Sequence, residues 1–471
     1  MRFLTGSDEH GIKMVKTAEE RQVSPKDLSD RMVAAFQAWW REVDLSHDDF
    51  IRTPEPRHRD TVREIVRRLI ANGDIYLGNY EGWYDEGQEE FITEATAKAQ
   101  GYKSAVSGRP LVRQAEPTYF FRLGKYVPRL IAHVEANPGF IRPESRRNQV
   151  LSGLRAGVDD LSISRASLSW GIPMPNDPGH VIYVWIDALS NYVSALGFGR
   201  DDESLYRRYW PADVHVIGKE ILWFHAVYWP AMLMSLGQPL PKAVFAHGWW
   251  TADGRKMSKS MGNFVDLAKL RGLIGTYGLD AVRYYLLRAA PFGNDLDWTD
   301  ADFAKAFNEL GNVLGNCLNR IVKMTGRYRG GRVPAVAGPP EEVDRQLLAR
   351  SEQLAGQVEA AYAGLALQDA AMLPVELARA TNGYIDATEP FKLAKDPAKA
   401  QRLDAVLNVS AQAIRRALVG LIPVLPHKAA EGLAQLNAPA TGRFSELMAA
   451  ALPAGHQLGD GTPLFPKVEA G

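Results

Sequence analysis

The chain has 471 residues, 46% hydrophobic and 23% charged, an ordinary globular composition that excludes disorder, collagen and coiled-coil arrays and allows two or three domains with real cores. Lysine plus arginine and aspartate plus glutamate each number 55, for a net charge of zero, so nucleic acid is not held by bulk charge and any contact must come from local patches. No apolar run approaches the roughly 18 residues of a membrane-spanning helix, residues 1–11 show no secretory or organellar signal, and the lone Cys317 rules out internal disulfides and multi-cysteine zinc sites; the expectation is a soluble, cytoplasmic protein.

In chain order, residues 4–7 read as a strand end running into a helix. That puts Asp8 at the carboxyl edge of a parallel sheet, where open α/β folds bind ligands. Its carboxylate suits a substrate ammonium, or it merely caps the helix; His10 alone reads as structural. Ser24-Pro25-Lys26-Asp27 supplies an N-cap serine, a first-position proline and an acid, which predicts a helix running to Val43. The β-branched and aromatic runs 181–185, 214–217 and 243–250 predict buried strands, and with the helices between them an α/β domain. Residues 254–263, Gly-Arg-Lys-Met-Ser-Lys-Ser-Met-Gly-Asn, follow a strand and an Asp-Gly turn. Lysines, hydroxyls and flanking glycines suit a loop that folds over phosphates, the plainer alternative being a solvated basic turn.

All 11 tryptophans lie at or before Trp298, which places a domain change near residue 300. Beyond it Phe303, Phe307, Leu310, Leu314, Cys317 and Ile321 repeat at spacings of four and three, the stripe of a long amphipathic helix. Further helices over 341–362, 370–387 and 398–422, separated by proline-containing breaks, predict an antiparallel bundle. Arg320, Lys323, Arg327, Arg329 and Arg332 form a basic patch with no acidic residue until Glu341.

The pentapeptide Lys256-Met257-Ser258-Lys259-Ser260 is the signature of class I aminoacyl-tRNA synthetases, and it stands where that family keeps it, late in the α/β part and ahead of a helical domain. Segments 4–11, 183–192, 215–225 and 229–233 make the resemblance specific to methionyl-tRNA synthetases, and it covers essentially the whole chain, including 161–165, 170–173 and 464–467. It implies an α/β fold: a Rossmann-type catalytic domain in two parts, 1–75 and 123–298, an inserted subdomain at 76–122, and an all-α anticodon-binding bundle at 299–471. The family opens with a strand and a His-Ile-Gly-His-like loop, whereas this sequence opens at the second strand. A start assigned too far downstream is the expectation, a real loss the alternative.

The resemblance also implies ATP-dependent activation of methionine and its transfer to elongator and initiator methionine tRNA. Asp8 would contact the amino group, and Trp185, Ala188, Tyr192, His225 and Trp229 would line the side-chain pocket, where aromatic walls suit a thioether. Lys256, Ser258 and Lys259 would meet ATP, Lys259 foremost on the leaving pyrophosphate, with Mg²⁺ carried by the nucleotide phosphates. Glu220 stands where relatives have aspartate near the ribose. Asn316 and Arg320, four apart on one helix face, match anticodon-reading positions, and Phe391 stands where the family stacks a base on tryptophan. The insert holds no Cys and no His, so no zinc is expected. The closing residues resemble members without an appended dimerisation domain, which implies a monomer. Two alternatives stay open: a truncated, inactive synthetase-like protein that binds tRNA without adenylation, and a class I synthetase for another apolar amino acid.

Overall fold

The computed structural model describes residues 1–85, 90–92, 94–104, 108–166, 168–257 and 262–468. They form two compact units, Met1–Ala246 and His247–Gly471.

In the first unit the strand Leu4–Ser7 pairs in parallel with Asp49–Arg52, in register from Leu4 opposite Asp49 to Ser7 opposite Arg52. Parallel pairing needs a long crossover, here the helices Ile12–Glu20 and Pro25–Glu42. The second begins as its sequence predicts, with the Ser24 hydroxyl accepting the Asp27 N–H at 3.0 Å and Pro25 in the first turn. Gly6 is required by the pairing, because a Cβ there would lie 2.2 Å from the Ile51 carbonyl oxygen. A second sheet has the order His215–Gly218, Val244–His247, Ile141–Arg142. The helix Pro56–Ala71 buries His58, Thr61, Val62, Ile65, Val66 and Leu69, the three-and-one spacing of a single stripe.

The run 181–185 is not one strand. Val181–Ile182 pairs with Ser164–Arg165, and the Tyr183 carbonyl then accepts the N–H groups of Ile186 and Asp187 at 2.9 and 3.2 Å. Those bonds start the helix Val184–Leu189, so Trp185 is displayed from a helix. In the 76–122 region, Ile75–Asp85 and Val112–Phe121 run antiparallel in register from Ile75 opposite Phe121 to Tyr84 opposite Val112.

In the second unit Trp250–Ala252 pairs antiparallel with Arg255–Lys256 and parallel with Leu296–Trp298. Asp253 and Gly254 adopt φ of 54° and 70°, the left-handed pair that an Asp-Gly hairpin turn needs. The stripe from Phe303 to Ile321 is buried throughout, but it spans the helices Asp300–Glu309 and Asn316–Arg329 joined by a π-helical stretch, Leu310–Gly315. Helices Glu342–Ala363, Leu367–Thr388 and Ala400–Leu421 pack against one another. Pro374 sits inside the second of these rather than at a break. Gly420 lets the third approach it, since a Cβ there would lie 2.9 Å from the proline ring. Ala252, Tyr285 and Trp298 share one core cluster with Phe303, Phe307 and the bundle, so the strands of 250–298 pack with the helices that follow them.

Candidate active site

The loop after the Leu4–Ser7 strand carries Asp8, Glu9 and His10. Glu9 is the buried member, 2% exposed. Arg52 grips it with two bonds of 2.7 Å and also reaches Asp30 at 2.5 Å, while the Glu9 N–H donates to the Thr53 hydroxyl at 3.0 Å and its carbonyl accepts the Trp170 indole N–H at 2.7 Å. Asp8 is exposed as a residue, although protein crowds around its carboxyl. Surrounding protein strips enough water from its carboxyl to push the pKa up to about 6; the nearby negative Asp187 adds to the rise, and His58 and His10 oppose it. It caps no helix, for the N-cap of the following helix is Gly11.

His10 is structural, as its sequence reading has it, and more than that. Its Nδ1–H donates to Asp187 Oδ2 at 2.6 Å, and the Nε2–H of His58 donates to Asp187 Oδ1 at 2.7 Å. Burial acts to raise the Asp187 pKa, but the bonds from His10 and then His58 outweigh it and hold the carboxyl below its usual range.

The aromatic segments converge as expected. The Trp185 ring stacks on Phe224 with centroids 3.8 Å apart and planes 12° off parallel. His225 donates from Nδ1 to the Ile221 carbonyl at 3.0 Å, which leaves Nε2 as the acceptor for the Tyr192 hydroxyl at 2.7 Å. Phe224–Tyr228 is a π-helical turn, an irregularity common at functional sites, and it leads into the fully buried Trp229, 6.2 Å from Tyr192 between centroids. Ala188, 4% exposed, lies one helical turn before Tyr192. Burial pushes His225 down to about 4. The pocket is therefore neutral and aromatic, with one recessed carboxyl close enough for its charge to raise the Tyr192 pKa further after burial.

The sequence reading missed His215, tilted 32° against Tyr192 at 3.9 Å between centroids and pushed down to about 3 by burial. It also missed His58, whose signal was a histidine on the apolar stripe of its helix. Glu220 follows the His215–Gly218 strand and folds back on it, its Oε1 within 2.5 Å of where a Gly218 Cβ would stand. Of the basic loop, the Lys256 backbone closes the hairpin in the second unit; Ser258 and Lys259 lie outside the described residues. Also in the second unit, Asn316 is exposed, and Arg320 donates to Asn382 at 3.2 Å and Asp386 at 2.5 Å on the Leu367–Thr388 helix. That helix ends at Glu389 in left-handed conformation, with Phe391 following at 49% exposure. Arg329 of the basic patch is paired with Asp404.

The family model described as tRNA synthetases class I (M) matches residues 1–101 and 96–322. Crossover-linked parallel strands, the Lys-Met-Ser-Lys-Ser sequence that begins where the 250–256 hairpin closes and the helical region further on are thus those of a class I aminoacyl-tRNA synthetase. The chain is 44% identical over 484 residues to methionine–tRNA ligase 1 of Bacillus anthracis, covering 100% of this chain and 73% of that one. It is 43% identical over 488 residues to methionine–tRNA ligase of Bacillus subtilis, covering 100% and 72%. It is also similar to Mycobacterium tuberculosis methionyl-tRNA synthetase in complex with methionyl-adenylate, with a TM-score of 0.89 and 40% identity over 99% of this chain and 92% of that one. The chain belongs to the methionyl-tRNA synthetase family.

Proposed function

We propose that the chain is an ATP-dependent methionine–tRNA ligase, and the observation that carries this reading is the nearness of Asp8 to a cluster of aromatic side chains. Asp8 is close enough for its charge to act on Tyr192, and the histidines of that cluster, His215 and His225, are held neutral. A zwitterionic amino acid with a long uncharged side chain fits that arrangement: the ammonium on Asp8, and the thioether among Trp185, Ala188, Tyr192, His225 and Trp229, where sulfur–aromatic contact adds to apolar burial. The methionine carboxylate attacks the α-phosphorus of ATP in line and expels pyrophosphate. A ribose hydroxyl at the tRNA 3′ end then takes the methionyl group from the adenylate and releases AMP.

Such chemistry rests on positioning and on stabilising charge as it develops. Lys259 stabilises the leaving pyrophosphate, with Lys256 and Ser258 setting the loop, and Glu220 serves the ribose end of the nucleotide. Mg²⁺ enters on the ATP phosphates, the usual way this ion is held at nucleotide sites. Residues 1–75 and 123–298 carry the catalytic function, with 76–122 inserted, and 299–471 reads the anticodon through Asn316, Arg320 and Phe391. The protein works as a cytoplasmic monomer on elongator and initiator methionine tRNA. No helix among the described residues is long and apolar enough to cross a membrane.

The test is exchange of labelled pyrophosphate into ATP, run on the 471-residue chain and on the same chain preceded by a His-Ile-Gly-His-type segment, together with direct titration of methionine. Methionine should bind both and should drive exchange in the second, more strongly than leucine, isoleucine or valine. Exchange driven by one of those three in preference to methionine would overturn the assignment.

A further inference from the structure

Asp187 has no part in the scheme above, yet it is among the most fully enclosed charges in the first unit. It sits in the helix Val184–Leu189, between Trp185 and Ala188 of the side-chain pocket and shortly before Tyr192. Its oxygens are both engaged from elsewhere: Oδ2 takes the Nδ1–H of His10, two residues beyond Asp8, and Oδ1 takes the Nε2–H of His58 on the Pro56–Ala71 helix. His58 is fixed from behind by the Ser194 hydroxyl, 2.7 Å from its Nδ1. Side-chain exposure is 1% at Asp187, 4% at His10 and 0% at His58. The loop is pressed onto the same helix at Gly11, where a Cβ would stand 3.6 Å from Val184, and Trp170 closes over His10 edge to face at 5.3 Å. One buried carboxylate thus ties the loop that offers Asp8 to the helix that offers the pocket wall.

We propose that Asp187, held between His10 and His58, is a positioning residue that sets Asp8 against the side-chain pocket, so that recognition of the amino group and of the thioether end are coupled through it. The proposal rests on the reading of Asp8, Trp185, Ala188 and Tyr192 as methionine-binding. Its physical basis is that a carboxylate only accepts. Each oxygen has one charge-assisted bond; losing the His10 imidazole frees the loop, and losing either imidazole leaves a buried oxygen unsatisfied. Without the tie the pocket helix keeps its own packing around Ile186 and Leu189, while the ammonium partner drifts. The loss should therefore fall on ligands that carry an ammonium.

The experiment compares affinities for L-methionine and for its deaminated analogue, the same thioether acid with hydrogen in place of the ammonium, in the full chain and in Asp187→Asn, His10→Ala, His10→Asn and Asp8→Asn. In Asp187→Asn and His10→Ala, methionine should weaken by about tenfold or more, the loss of one charge-assisted bond, with the analogue changed far less. His10→Asn should recover most of the loss, because its amide nitrogen can occupy the place of Nδ1. Equal weakening of both ligands would make Asp187 mere packing and overturn the proposal. Should Asp187→Asn not fold, the two His10 variants decide in the same way. Asp8→Asn tests the underlying reading separately: it should erase the preference for methionine over the analogue, and a preference left intact there would refute the role of Asp8 and not the tie.

Discussion

At Asp8 the chemistry of the site becomes a pH dependence. Burial first, and Asp187 next, push its carboxyl up to about 6, and only the ionised form can hold an ammonium. Below that value the acid is protonated and the partner charge is gone; above it the charge is complete. Methionine affinity should therefore climb from about pH 5 to a plateau near pH 8, a change that isothermal titration will resolve, since ionisation follows a tenfold-per-unit law below the pKa. The groups facing Asp8 are Asp187, His58, His10, Glu9 and Tyr192; His215 and His225 stay neutral over this range. Asp8→Asn should flatten the curve, and an unaltered acid limb in that variant would place the titration on another group. The residues that touch the amino acid in this reading were legible in the sequence, because the short motifs around them are distinctive. Asp187 with its two histidines was not, since the partners stand 177 and 129 residues away and no local pattern records a pairing at that separation.

Elements take their order from a few buried polar junctions, and the bundle shows one at Asp344. Its carboxylate accepts from the Glu341 N–H at 2.9 Å, closing the capping box of the Glu342–Ala363 helix. It also accepts from the Tyr384 hydroxyl at 2.5 Å and from Arg402 at 2.6 Å, so one side chain 1% exposed joins three helices. Burial works to raise its pKa, but the bonds from Arg402 and then Tyr384 prevail and the value is lowered. A depressed carboxylate gives stability that is fully present above the unfolded aspartate value of about 3.9 and is lost as pH falls through the folded pKa. Asp344→Ala leaves the Tyr384 hydroxyl without its acceptor and Arg402 with Glu341 alone, and should cost about 3 kcal/mol; Tyr384→Phe should cost about 1 kcal/mol. Urea unfolding at neutral pH measures both, and near-equal losses would mean that Glu341 alone holds Arg402 as well as the pair does. Helix positions here were readable to within a few residues from apolar spacing, as at 398–422 against Ala400–Leu421. The junction was not, because spacing reports which face is buried and not which polar group is buried with it. The same limit explains 181–185: β-branched composition marks burial, and the Tyr183 carbonyl, by accepting from Ile186 and Asp187, turns the end of that run, Val184 and Trp185, into the start of a helix.

For the molecule as a whole, the two compact units predict separable losses. In the proposed function Arg320 reads an anticodon base from the second unit, while the amino acid is bound in the first. Arg320→Ala should reduce aminoacylation of methionine tRNA at least several-fold, from a base contact of about 1–3 kcal/mol, and leave methionine-driven exchange at the parent rate in any version active in exchange. The deficit should be greatest with the native anticodon. A uniform deficit that fades with added salt would instead mark a phosphate contact. Because Asp386 and Asn382 already hold the guanidinium, its geometry is set before any RNA arrives. The basic patch read from sequence is correspondingly smaller than its residue count, since Arg320 and Arg329 have acidic partners 66 and 75 residues away.

The placement of Cys317 has an optical consequence. The thiol is buried in the bundle core and pushed up to about 12 by that burial, which silences it toward alkylating reagents until the bundle opens. From Thr299 onward the chain has no tryptophan; Trp185 and Trp229 belong to the first unit, while Trp250 and Trp298 pack against the bundle core. Thiol trapping, applied to the native sequence without any inserted label, therefore reports the opening of the bundle alone, while tryptophan emission sums both units. An emission change that precedes thiol trapping during denaturation dates the loosening of the tryptophan surroundings against the opening of the bundle.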